Sequence, residues 1–416
     1  MSRPRNRACF GALLLLTLAS LQARADVEFH GFGQAICGTT FSNTHTGQSQ
    51  NGLRTVTNLR YEADPSCGPE SLFALQMDTK LSDHVSLTAQ LLDTPGSPVQ
   101  SDPRFSMAFV TFDFDDNWPE IRVGRQKVPW YMYSANREVG ESYVWVRPPA
   151  AVYFETPDSF DGIYLSKTIL LGHQWTLKPI AGYGGFSTSY SEAASGPYPG
   201  ADLNYTANKG YGTGFELNYS SVLRLRAAYL SSAITITTSQ TDSLFSMMNA
   251  LGMSNTVNQL AVNHSAATFR EVGFEATPGN WVFGGEYVQS VVSNSFVAKS
   301  EQYYVSASYR FGNLTTALTW EHNQQAPSFN ALNSFPSNAG CLAPGVGLVP
   351  GLCAVYVNAL LESQVAQDRY YDISLRYDLT PHVALKLDYT AYDSGAFGIA
   401  KKSSSNLLAG GVTFYF

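Results

Sequence analysis

The sequence predicts an all-β transmembrane protein, an antiparallel barrel of sixteen strands with short turns at one end and long extracellular loops at the other. Three observations carry that expectation. First, segments of roughly ten residues that alternate apolar and polar side chains recur over most of the chain, as in strands that face lipid on one side and water on the other. Second, the chain ends on Val412-Thr413-Phe414-Tyr415-Phe416, an alternating aromatic strand without a polar tail. Third, only 14% of residues are charged, while Tyr and Phe number 24 each and Gly 34. Mean hydropathy is −0.11. No stretch beyond the first residues offers the ~18 consecutive apolar residues that a membrane helix needs.

The amino terminus reads as an export signal. Arg3, Arg5 and Arg7 precede an apolar run from Phe10 to Leu21, and Ala23-Arg24-Ala25 is a small-x-small cleavage site. The expected organisation is therefore a cleaved leader over 1–25 and one barrel domain over 26–416. Cys9 lies ahead of the apolar run, which argues against a lipid anchor. The whole chain carries a formal charge of −7, and losing the arginine-bearing leader makes the remainder more acidic. That balance argues against a nucleic-acid partner and suggests a mild preference for cations.

Strands are expected near 27–36, 71–81, 84–92, 104–115, 119–126, 159–168, 173–184, 209–220, 222–232, 267–277, 281–290, 301–311, 313–323, 368–379, 382–393 and 404–416. The alternation is plainest where Tyr371, Ile373, Leu375, Tyr377 and Leu379 oppose Asp372, Ser374, Arg376 and Asp378, and where Val383, Leu385, Leu387 and Tyr389 oppose Ala384, Lys386, Asp388 and Thr390. Every second connector is a short turn, such as Ser82-Asp83, Pro278-Gly279-Asn280, Gly312-Asn313 and Thr380-Pro381. The others are long: 37–70, 93–103, 127–158, 185–208, 233–266, 291–300, 324–367 and 394–403. An even strand number brings both termini to the turn side. Within the fifth long loop, Asp242 to Gly252 reads as a short helix with an Asp cap and a Gly stop.

Four cysteines remain after the leader: Cys37, Cys67, Cys341 and Cys353. Three pairings are possible. Cys37–Cys67 and Cys341–Cys353 are favoured, because each would close within one long loop. No zinc-type Cys spacing or His cluster accompanies them.

Val123-Gly124-Arg125-Gln126, followed by the third long loop and by Tyr153-Phe154-Glu155-Thr156-Pro157-Asp158-Ser159-Phe160-Asp161-Gly162, resembles the general porin superfamily of Gram-negative outer membranes. The resemblance extends over the whole mature chain, from signal to Phe416, which would serve as the carboxy-terminal assembly signal. It implies that the third loop folds into the pore, that three barrels associate, and that outer-membrane lipid and lipopolysaccharide surround them. The chain departs from the pattern in lacking the usual Pro-Glu-Phe string of the third loop. Trp130, Tyr131, Tyr133, Tyr143 and Trp145 make that loop strongly aromatic instead.

The charges placed to act at a constriction are Glu138 and Glu141 on the loop, facing Arg122, Lys127, Arg137 or Arg147, with Asp78 and Lys80 on the inward face of the second strand. A transverse field between such groups favours polar solutes. The alternative for Arg137 and Glu138 is an ion pair that ties the loop together. The aromatics are read as packing that anchors the loop, with a stacking surface for solutes as the rival. The expected function is a water-filled channel for passive diffusion of ions and small hydrophilic solutes. A solute-selective channel with an aromatic constriction and a non-transport receptor or adhesin are the alternatives. Enzyme chemistry has little support: the seven His are scattered, Gly-x-Ser-x-Gly is absent, and no motif asks for a cofactor or metal.

Overall fold

The computed structural model describes residues 27–41, 61, 64–95, 103–115, 117–153, 158–191, 202–327, 340–343, 347–395 and 403–416. The expected leader, 1–25, and residues 154–157 of the string that returns from loop three lie outside the described residues. The strands are β1 Val27–Phe41, β2 Leu72–Ser82, β3 Val85–Asp93, β4 Arg104–Phe112, β5 Glu120–Lys127 and β6 Ser159–Ser166, which resumes at Ile169–Leu170. They continue as β7 Trp175–Ser191, β8 Asp202–Tyr219, β9 Leu223–Thr238, β10 Ser265–Ala276, β11 Trp281–Val292, β12 Ala298–Phe311, β13 Leu314–Pro327, β14 Ala366–Thr380, β15 Val383–Ser394 and β16 Ser403–Tyr415. Both pieces of β6 pair with β7, so the sheet holds sixteen strands. The break falls opposite Pro179, which has no N–H to give the ladder.

Every strand pairs antiparallel with its sequence neighbour, and β16 returns to β1. The seam is sealed at the last residue, where Phe416 N–H donates to Gly31 O at 2.8 Å and Gly31 N–H donates to Phe416 O at 3.0 Å. The Phe416 ring lies over Gly31, where a Cβ would come within 2.2 Å of it. A larger residue there would push the ring off the seam. Closure matters because an open edge in hydrocarbon leaves backbone groups without partners, each costing several kcal/mol.

Burial is inverted relative to a water-soluble sandwich. On β14, Tyr371, Ile373, Leu375, Tyr377 and Leu379 are exposed on the outer face, while Tyr370, Asp372 and Ser374 are buried inside. Aromatic rings gather outside near the turns, with Trp175 on Tyr219 at 4.8 Å and Trp281 on Tyr309 at 4.7 Å. A second outer set sits toward the loops, including Tyr303 against Trp320 at 5.4 Å. Two belts of this kind mark the edges of a lipid-facing band.

Several strands run further toward the loops than expected. β1 reaches Phe41, β7 reaches Ser191 and β8 begins at Asp202. The Ser, Thr and Asn residues there end the lipid pattern, but the backbone keeps pairing from Phe186–Ala207 to Ser191–Asp202. Cys37 therefore belongs to β1, and the Cys37–Cys67 disulfide ties that strand to the returning first loop beside a Gly38–Ser66 bridge. The loop-five helix is α2 Ser239–Ala250, preceded by α1 Ala150–Tyr153 in loop three. Its cap is Thr238, reciprocally bonded with Thr241, in place of the expected Asp242. Gly252 stops it at φ +79° as expected.

Helix α2, α3 Ser254–Leu260 and α4 Leu352–Ser363 share a core built from Phe245, Met248, Leu260, Phe296, Val357 and Leu361. The Cys341–Cys353 disulfide lies within it, and inward-facing Ile234 of β9 packs beneath it. Loops five, six and seven thus roof part of the loop-side mouth.

Candidate channel constriction

The described residues of loop three, 128–153 and 158, leave β5 and lie within the barrel interior. The loop is held from two directions. Wall carboxylates accept its backbone N–H groups: Glu286 from Met132, Asp388 from Val146 and Glu321 from Ala151, each at 2.7 Å. Wall cations donate to its carbonyls. Lys386 serves Gly140, Tyr143 at 2.8 Å and Trp145 at 2.5 Å, Arg376 serves Glu141 and Tyr143, Arg224 serves Met132 and Arg226 serves Pro129. These partners lie on β9, β11, β13, β14 and β15. Gly140 approaches β1 and β16 so closely that a Cβ would meet Gln34 Oε1 at 2.6 Å and Thr413 Cγ2 at 2.8 Å. The loop is plastered along the β9-to-β1 side, and the β2-to-β7 wall stands opposite.

Apolar packing reinforces the polar ties. Tyr131, Tyr133, Tyr143, Trp145 and Tyr153 are buried against Phe269, Val288 and Tyr304 of the wall. Val146, Ala150 and Ala151 pack on Ile36, Tyr370, Tyr392 and Leu407. Each buried ring contributes on the order of 2 kcal/mol over its exposed state. Trp130 stacks edge-on against Phe269 at 4.6 Å. Trp145 Nε1 donates to Thr319 at 2.8 Å, and Tyr133 OH to Glu275 at 2.5 Å. Tyr131, Tyr133, Tyr143 and Trp145 are thus the loop's core, and Trp130 stays half-buried at its edge.

The charged candidates divide. Glu138 pairs with Lys127 at 2.8 Å, and Lys127 also holds Asp158 at 2.8 Å. Glu141 pairs with Arg376 at 2.6 Å and accepts from Thr413 at 2.5 Å. Arg147 pairs with Glu70 at 3.0 Å, and Arg137 donates to Tyr153 O at 2.8 Å. Neither loop carboxylate pairs with Arg122, whose Nε meets Glu120 at 2.8 Å. Asp78 accepts from Gln76 at 2.7 Å and Thr88 at 2.6 Å, and Lys80 is exposed. Residue parity places Glu286, Glu321, Asp388, Lys386 and Arg376 inside. It gives no sign that they hold the loop, because their backbone partners lie 154 to 246 residues away in sequence.

Asp158 carries a pH consequence. Burial works against its charge, but the Lys127 ammonium outweighs burial and holds the carboxyl below the usual carboxylate range. A carboxyl depressed in the folded state stabilises above its unfolded pKa, and that stability is lost as pH falls through the folded value. The loop base is therefore expected to stay clamped through about pH 4, the ordinary carboxylate value, and to loosen only in stronger acid. Open-channel current noise recorded from pH 7 downward checks this, with Asp158→Asn noisy throughout.

No family profile and no curated protein matches the sequence. Among solved structures, the barrel is similar to the outer-membrane channel DcaP of Acinetobacter baumannii, at TM-score 0.53 and 12% identity, covering 94% of this chain and 97% of that one. It is similar to a loop-L8 deletion mutant of OmpT, an outer-membrane protein of Vibrio cholerae, at 0.52 and 12%, covering 95% and 100%. It is also similar to the anion-selective porin of Comamonas acidovorans, at 0.50 and 12%, covering 94% and 100%. The chain has the outer-membrane porin fold. At such identity the likeness is one of architecture, and the internal side chains must be read on their own chemistry. In this porin-fold barrel the third loop is anchored by wall-to-backbone bonds, which constrain the loop's path more than its sequence.

Proposed function

We propose that the chain forms a water-filled channel in the Gram-negative outer membrane, narrowed by loop three, for passive diffusion of ions and small hydrophilic solutes. The observation that carries this reading is the asymmetry of the interior. One side is filled by a fixed loop, while Gln76, Asp78, Thr88 and Arg122 on β2, β3 and β5 keep partial solvent exposure on the other. Hydrogen bonds from buried Ser106 to buried Gln90 at 2.6 Å and from Gln90 to half-exposed Gln76 at 2.9 Å hold the amide of Gln76 on that side. Polar, hydrated walls suit small hydrophilic solutes. No enzymatic step is part of this reading.

The expected assembly is a homotrimer in contact with lipid and lipopolysaccharide, made of residues 26–416 after removal of 1–25. Mass spectrometry of the mature protein checks the cleavage, and cross-linking in native membranes checks the trimer. Reconstitution into planar bilayers is expected to give stable single-channel steps without need of a particular solute. Small steps blocked by one solute would favour a selective channel, and folded protein without conductance would favour a receptor or adhesin.

A further inference from the structure

The interior distributes its two signs of charge unequally. Glu271, Glu286, Glu321, Asp372 and Asp388 are all buried on the side that loop three covers. Their oxygens serve loop N–H groups, tyrosine hydroxyls, Thr390 and Arg226. A passing solute does not meet them. The opposite wall carries Lys80, Arg104, Arg122 and Lys178, with Arg137 on the loop, all exposed or half-buried. Among the described residues, the inward acids of β2 to β7 are Asp78, accepting two wall hydrogen bonds, and Glu120, already paired, while Glu216 of β8, across from Lys178, is paired with Arg226.

We infer that the channel prefers anions, and that Arg122 is the residue that carries most of the preference. The inference rests on the channel reading above. Its sign is opposite to the one net charge suggests, because loop three hides those five acids against two buried bases, Arg226 and Lys386. Arg122 is singled out by how it is held. Its guanidinium lies 5.3 Å from the Phe109 ring and 5.8 Å from the Tyr164 ring. Its Nε lies 2.8 Å from Glu120 as an ion pair, and its side chain remains 34% exposed. Among the described residues its two terminal nitrogens have no hydrogen-bond acceptor. A planar cation fixed between two rings, with one edge free, is preorganised for a carboxylate or phosphate oxygen. Inside a narrow passage its charge is less screened than at the mouth.

The test is the reversal potential of the full-length protein in planar bilayers across a potassium chloride gradient. The expected result is chloride more permeant than potassium. Arg122→Gln is expected to lower the chloride-to-potassium permeability ratio by roughly threefold, the scale of one partly solvated charge. Arg122→Lys should keep the sign, and Arg310→Gln, paired with Asp378 near the turns, should leave the ratio unchanged. A cation-selective wild type overturns the inference without any variant. So does a folded Arg122→Gln protein with the wild-type ratio. Folded protein that does not conduct overturns the channel reading itself.

Discussion

Replacing Lys386 by Met is expected to loosen loop three and to give larger, noisier single-channel currents than wild type. The ammonium is buried and bonds three loop carbonyls, those of Gly140, Tyr143 and Trp145. It also sits 4.4 Å from the Tyr143 ring centre. Methionine fills the space and supplies no donor, so three carbonyls lose their partner in a water-poor site. The cost is on the order of 3 kcal/mol, since removing one side of a buried polar contact leaves the other side unsatisfied. The barrel itself should still fold, because its ladder does not involve this side chain. A folded variant with quiet, wild-type steps would mean that Lys386 is not an anchor. Glu286 provides the matching test from the acidic side, as it accepts from Met132, Tyr153 and Tyr304.

Deletion of Phe416 is expected to act on assembly instead of on the constriction. The residue contributes both hydrogen bonds that join the final position to Gly31. Its ring fills the groove above Gly31 and stacks on Phe73 at 6.4 Å between centres. Two lost backbone bonds weaken the seam by roughly 2 kcal/mol in water, and by more where lipid replaces water. The expected outcome is a large fall in the yield of heat-resistant folded barrel on an unheated gel. Channels that do form should conduct normally, because Phe416 lies on the outer face and touches nothing in the lumen.

The architecture was legible because lipid imposes a strict rule. Alternation in Tyr371 to Leu379 and in Val383 to Tyr389 had to mean one face outside and one inside, and the register of β14 with β15 agrees. The rule stops where lipid stops. Thr188 and Tyr205 continue the ladder beyond the band, where both faces tolerate polar residues, so the sequence showed a loop where the backbone is still strand. Thr238 was missed as a cap because its partner is Thr241 instead of the usual Glu or Gln. At the constriction, the sequence suggested an inward third loop with packed aromatics and placed Lys127 among the cations facing Glu138, with which it pairs. The partner of Glu141 was not foreseeable, because Arg376 lies far along the chain, on the wall that the loop rests against. Nor was the accounting of charge. Parity shows which acids point inward, but only the folded loop shows which of them are covered.

That covering is also why loop three is a poor place to judge function residue by residue. Glu141 and Arg147 belong to the loop's attachment, and substitutions there move the loop as well as the charge. Arg122 and Asp78 belong to the open wall, where a substitution changes the charge a solute meets and leaves the loop in place.

The central claim is that loop three lies inside a hydrated lumen and borders the path of the solute. Ala135 tests it most directly. It sits in the 3₁₀ turn Ser134–Asn136, is exposed, and its neighbours in the turn are small or polar. In Ala135→Cys protein with both native disulfides intact, a bulky hydrophilic thiol reagent applied during single-channel recording is expected to lower the current in discrete steps that a reductant reverses. Full, unaltered conductance after complete labelling of that cysteine would contradict the account.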